Sequence, residues 1–152
     1  MTRCRSFSLI EVVIAIGVVA MGVTVVLGLM AAAVKMVGEA SDRHGAERAL
    51  ASGVAELERL GFSAATARLT AATAEPAEEN RFFESHDGNR SGWGGAVAAS
   101  ARFYAVTVHR VENVSPSAGD ATGRGVAVLL RVEWPAGAAE RSAIQLTHVL
   151  LR

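Results

Sequence analysis

Residues 12–34 read VVIAIGVVAMGVTVVLGLMAAAV, 23 consecutive positions without a charged side chain. A bilayer hydrocarbon core of ~30 Å takes about 20 apolar residues at ~1.5 Å rise each, so the stretch predicts a membrane-length helix. Basic residues flank it on both sides, Arg3 and Arg5 before it and Lys35, Arg43 and Arg48 after it, so charge bias decides its orientation poorly. A secretory signal peptide competes for the same residues: Arg3 and Arg5 would form its basic region, and Ala31-Ala32-Ala33 supplies an A-x-A cleavage site. Against that reading, the run exceeds the ~7–15 residues of an ordinary signal core. Glu11 also stands at its beginning. A carboxylate deep in a membrane helix costs roughly 2.5–3.5 kcal/mol, less near the interface, and normally marks a function and has a partner. The plainer account of Glu11 is an interfacial residue that reaches into the headgroups.

The residues around that carboxylate carry a resemblance. Arg5-Ser6-Phe7-Ser8-Leu9-Ile10-Glu11, followed by Val12-Val13-Ile14-Ala15-Ile16, resembles a type IV prepilin processing motif. The family includes minor pilins and type II secretion pseudopilins. The resemblance implies a short basic leader, 1–6, left in the cytoplasm, and cleavage between Ser6 and Phe7 by prepilin peptidase. It further implies N-methylation of Phe7, and a role for Glu11, fifth in the mature chain, in meeting a terminal amine during filament assembly. Ser6 departs from the Gly that the family most often has there, although Ser is also small. The motif covers about the first 30 residues, and Cys4 would leave with the leader.

Composition narrows the remaining classes. Fifteen Lys+Arg against fifteen Asp+Glu give a formal net charge of zero over 152 residues, which argues against a basic nucleic-acid binder. Losing Arg3 and Arg5 leaves 13 basic against 15 acidic side chains, so charge-driven DNA uptake is not supported. At 51% hydrophobic the chain is too apolar to be disordered. One cysteine closes no intrachain disulfide and builds no zinc cluster. There is no Walker loop, dinucleotide fingerprint, HExxH or Ser/His/Asp grouping, so neither an enzyme nor a cofactor is expected.

Beyond Lys35 the helix is expected to continue. Ala46, Leu50, Val54, Leu57 and Leu60 line one face at helical spacing, while Arg43, Glu47, Arg48, Glu56 and Arg59 populate the rest. The apolar stripe would dock this half on a sheet. Gly61 offers the helix stop, with Phe62 behind it. Glycines at 17, 22, 28 and 38 lower helix propensity by about 1 kcal/mol each relative to Ala, and permit bending and close approach. Residues 63–100 read mostly as loop and short turns, with Phe82-Phe83-Glu84 a brief strand entering the Asp87-Gly88-Asn89 turn. Glu84, His86, Asp87 and Asn89 match no metal-loop spacing and read as a solvated turn.

The C-terminal third changes period. Val126, Val128, Leu130, Val132 and Trp134 alternate with Ala127, Leu129, Arg131 and Glu133, a half-buried strand that Pro135 stops. Tyr104, Val106 and Val108 alternate before it, and Ile144, Leu146 and Leu150 share a face with His148 after it. Three strands in an antiparallel meander follow, with 112–123 linking the first two. Asn113-Val114-Ser115 in that link fits a glycosylation acceptor only formally.

The expectation is an α+β, pilin-like fold: leader 1–6, transmembrane and assembly helix 7–34, amphipathic helix 35–62, variable loops 63–100 and antiparallel sheet 101–152. The expected function is a non-enzymatic minor pilin or pseudopilin. Its partners would be prepilin peptidase, other pilin or pseudopilin subunits and a bacterial inner membrane crossed once, with the head periplasmic or extracellular. Two other classes stay open: a secreted soluble binding domain released near Ala33, and a static single-span membrane-anchored protein.

Overall fold

The computed structural model describes residues 8–70, 74–111 and 125–151. The leader, the Ser6–Phe7 junction, Cys4 and the link containing Asn113 lie outside them. Helix α1 (Leu9–Leu60) runs for 52 residues. It stops where the sequence places the stop: Gly61 takes φ +76°, a left-handed conformation that a side chain would strain, and its N–H donates to the Glu58 carbonyl at 3.1 Å. The chain divides into two compact units, the first ending at Ala40 and the second spanning Ser41–Arg152. In the first, every described residue from Leu9 on is helical.

The second unit is α+β. Residues 41–60 of α1 lie on a five-stranded antiparallel sheet made of β1 (Phe82–Glu84), β2 (Ser91–Trp93), β3 (Tyr104–Arg110), β4 (Gly125–Trp134) and β5 (Ser142–Leu151), in the order β2-β1-β3-β4-β5. The last three strands form the meander that their alternation predicts. In the region read mostly as loop the brief strand expected at Phe82-Phe83-Glu84 is present as β1, and two elements are unexpected, a short helix α2 (Phe62–Ala67) and a second strand, β2. Strands of three residues are too short to show a period of two. β1 exists because β3 offers it an edge, with Phe82 opposite Val106 and Glu84 opposite Tyr104, and β2 pairs in turn with β1. Further along β3 the same edge is taken by Thr70, which bridges to His109 in parallel sense: the Thr70 N–H donates to the Val108 carbonyl at 3.1 Å, and the Arg110 N–H donates to the Thr70 carbonyl at 2.9 Å.

The core lies between helix and sheet. Leu57, Val106, Val128, Leu130 and Val132 are fully buried, and each such side chain contributes roughly 1.5–3 kcal/mol relative to exposure. The buried helix face differs in detail from the expected stripe. Ala46, Leu50 and Leu57 are buried as read, Val54 and Leu60 only partly, and Gly45, Ala49 and Gly53 join them. Small residues dominate because the helix sits close to the strands. A Cβ at Gly45 would fall 2.0 Å from the Tyr104 hydroxyl oxygen, and one at Gly53 3.4 Å from Val106. On the opposite face of the sheet a smaller apolar cluster of Phe83, Val97 and Ala105 is covered by the segment leading into β3 and by Ala136. The ten residues of β5 pair with β4 without a bulge and form the last strand of the sheet.

Candidate functional site

Glu11 lies in the first turn of α1, where its N–H and that of Val12 donate to the Ser8 carbonyl at 3.0 and 3.3 Å. A negative charge is favourable at this end of a helix, where unpaired N–H groups give a partial positive potential. The Glu11 side chain is exposed, and among the described residues it has no hydrogen bond or ion pair. Every large apolar side chain from Leu9 to Val37 is exposed as well. Eighteen such side chains facing water would each forgo up to about 1.5–3 kcal/mol of transfer free energy, which favours apolar surroundings for this surface. The segment is long and apolar enough to cross a membrane once, a test that a signal sequence also passes. Thr24 bonds its hydroxyl back to the Ala20 carbonyl at 2.6 Å, so the one hydroxyl in the run is satisfied within the helix.

In the second unit a polar anchor ties α1 to the β1–β2 hairpin. Glu84 is 1% exposed and accepts from Arg48 Nε at 2.8 Å, while Arg48 Nη2 donates to the His86 carbonyl at 3.0 Å. His86 in turn contacts Asp42 at 3.1 Å and sets its ring edge-on to Phe103 at 4.6 Å. Asp87 accepts from Ser85 Oγ at 2.6 Å and from Asn89, and these hydrogen bonds hold its carboxyl at about 2, below the usual 3.8. Burial pushes the Tyr104 phenol up. The residues that the sequence groups as Glu84, His86, Asp87 and Asn89 therefore divide among a helix anchor and a closed turn. Among the described residues no group of three or more His, Cys, Asp or Glu is arranged to hold a metal.

The histidines in the sheet behave as packed side chains with polar neighbours. His109 Nε2 is 3.2 Å from Thr107 Oγ1, and His148 Nε2 approaches Glu58 at 3.3 Å. Sequence reasoning missed the Arg48–Glu84 anchor, since Glu84 ends a brief strand and groups with the solvated turn that follows it, and Arg48 lies on a helix face that reads as solvated. The available signal was Phe82-Phe83-Glu84 itself, because an acid in a brief apolar strand needs a cationic partner.

No family model, curated protein or solved structure matches this chain significantly.

Proposed function

We propose that this chain is a structural subunit of the minor pilin or pseudopilin type, inserted by the first half of α1 and assembled through it. One observation carries the reading. A carboxylate without a partner among the described residues stands at the start of a helix whose apolar side chains are exposed on all sides, while the second unit buries a separate core. A lone carboxylate beside lipid calls for a cation, and a neighbour's terminal amine at the same depth supplies one. The basic leader and the Ser6-Phe7 junction support processing by prepilin peptidase, which would release that amine at Phe7 and methylate it.

Two measurements test this. The intact mass of protein extracted from membranes should correspond to a chain beginning at methylated Phe7. A mass beginning after Ala33 identifies a secreted domain, and one beginning at Met1 a static anchored protein. The second is Glu11→Ala: processed monomer should persist in membranes while recovery in sheared or crosslinked assemblies falls. Equal recovery with wild type removes the assembly role of Glu11.

A further inference from the structure

On the face of the sheet opposite α1, residues preceding β1, those preceding β3 and those linking β4 to β5 wall a groove of about 400 Å³. Phe83 and Ala105 form part of its lining, and three arginines, Arg81, Arg102 and Arg141, line it too. Each guanidinium is held by backbone carbonyls. Arg81 Nε donates to Pro76 at 3.1 Å, Arg102 to Val97 at 2.8 Å and Gly94 at 3.2 Å, and Arg141 to Ala138 at 2.7 Å. Arg102 also stacks 4.2 Å above the Phe83 ring. These contacts fix the planar forks and leave outer N–H groups free to meet an anion.

Carboxylates of the chain occupy those positions, and they are of two kinds. Glu133, on β4, is 17% exposed and shared by Arg131 at 2.8 Å and Arg141 at 2.7 Å, so it is built in. Glu75 on Arg81 and Glu78 on Arg102 differ. Their side chains are 87% and 65% exposed, whereas the arginines they cover are 23% and 15% exposed. An exposed glutamate swings into water at little cost, but a largely buried guanidinium needs its anion replaced.

We propose that the groove binds a carboxylate-bearing ligand of peptide size, whose anion displaces Glu75 or Glu78 from Arg81 and Arg102 while its apolar part rests on Phe83 and the neighbouring alanines. Carboxylate is the fitting anion because the three forks already hold carboxylates in the folded chain. The volume lies within the range of small-ligand clefts, about 300–1,000 Å³. This site is separate from the assembly segment and does not depend on how the N-terminus is processed.

The test uses the full chain in detergent micelles, with the arginine Nε–H resonances followed by nuclear magnetic resonance. The probes are acetyl-Ala-Glu-amide and acetyl-Ala-Ala, which carry a side-chain and a terminal carboxylate respectively, with acetyl-Ala-Gln-amide and inorganic phosphate as controls. At least one carboxylate peptide should give saturable shifts at Arg81 and Arg102, and the tighter of the two identifies the source of the anion. The Gln peptide should give none, and phosphate should bind more weakly because it lacks the apolar part. Replacing the two covering acids, Glu75→Gln with Glu78→Gln, should tighten binding by about tenfold, since two exposed competitors are removed. A purely structural role for the arginines would not produce that gain. Shifts that do not saturate, that are equal for the Gln peptide or phosphate, or that are unchanged in the double variant overturn the proposal and leave the arginines as laces between loops.

Discussion

Substituting Gly45 by Ala sets two effects of opposite sign against each other. In an exposed helix Ala is better than Gly by about 1 kcal/mol, because Gly gives up more backbone freedom on folding. At Gly45, however, the new methyl carbon would sit 2.0 Å from the Tyr104 hydroxyl oxygen and 2.6 Å from its ring carbon, where ordinary contact begins near 3.4 Å. The ring has nowhere simple to go. Tyr104 is 1% exposed, with Phe103 edge-on at 4.9 Å and Trp134 at 6.5 Å. Either the helix lifts from the sheet or the tyrosine leaves its rotamer, and overpacking of this kind costs roughly 1–3 kcal/mol. An approach of 2.0 Å belongs to the upper part of that range, about 2–3 kcal/mol, so the net loss should be about 1–2 kcal/mol, which for a unit of this size lowers the melting temperature by roughly 4–16 °C. Near-ultraviolet circular dichroism of the full chain in detergent reports the second unit alone, since the two tryptophans and the single tyrosine all lie there. Gly45→Ala combined with Tyr104→Leu should lose less than the two single changes added together, because the ring that the methyl strikes is gone. A melting temperature for Gly45→Ala equal to or above wild type would refute the close approach of α1 to β3.

Three further outcomes follow from the same contacts. Arg48→Ala leaves the Glu84 carboxylate buried without its cation and should cost about 3 kcal/mol, whereas adding Glu84→Leu should recover part of that loss; denaturant titration of both variants checks the order. The Asp87 carboxyl, held at about 2, binds fewer protons folded than unfolded below 3.8, so its contribution is complete above 3.8 and disappears as the pH falls through 2. Melting temperatures across that window should therefore fall more steeply for wild type than for Asp87→Asn, and parallel curves would count against the Ser85–Asp87–Asn89 turn. A fragment beginning at Ser41 should be soluble and melt cooperatively, because every residue of the main core lies at Ala46 or beyond.

The sequence announces what is periodic and long. The uncharged run after Glu11, the stop at Gly61 and the alternation from Val126 to Trp134 each repeat over enough residues to declare an element, and all three stand in the structure. It conceals what depends on a partner far along the chain. β2 has three residues and exists by pairing with β1, so nothing local distinguishes it from a loop. The buried helix face is legible at Leu50 and Leu57 but not at Gly45 and Gly53, since a glycine is selected there by a strand that comes some 50 residues later. Arg48 and Arg102 look like solvated charges in a sequence, and only the fold brings Glu84 and Phe83 beneath them. Glu11 stands out in the sequence as the acid that precedes the uncharged run, and the structure adds its exposure and its place in the first helical turn.

The core of the second unit draws on Val128, Leu130 and Val132 from β4 and on Leu150 from β5, so it cannot close until Leu150 has been made. Ribosomes add about 5–20 residues per second, which puts roughly 6–23 s between completion of the apolar run at Val34 and the addition of Leu150. During that interval the N-terminal segment is already a finished helix-forming stretch, while the strands that bury residues 46–57 do not yet exist. The apolar half of α1 must therefore find its surroundings by its own hydrophobicity, without guidance from a folded head. The amphipathic half has no complete sheet to pack on until β5 is made, and its charges, from Arg43 through Arg59, favour its staying in water over that time.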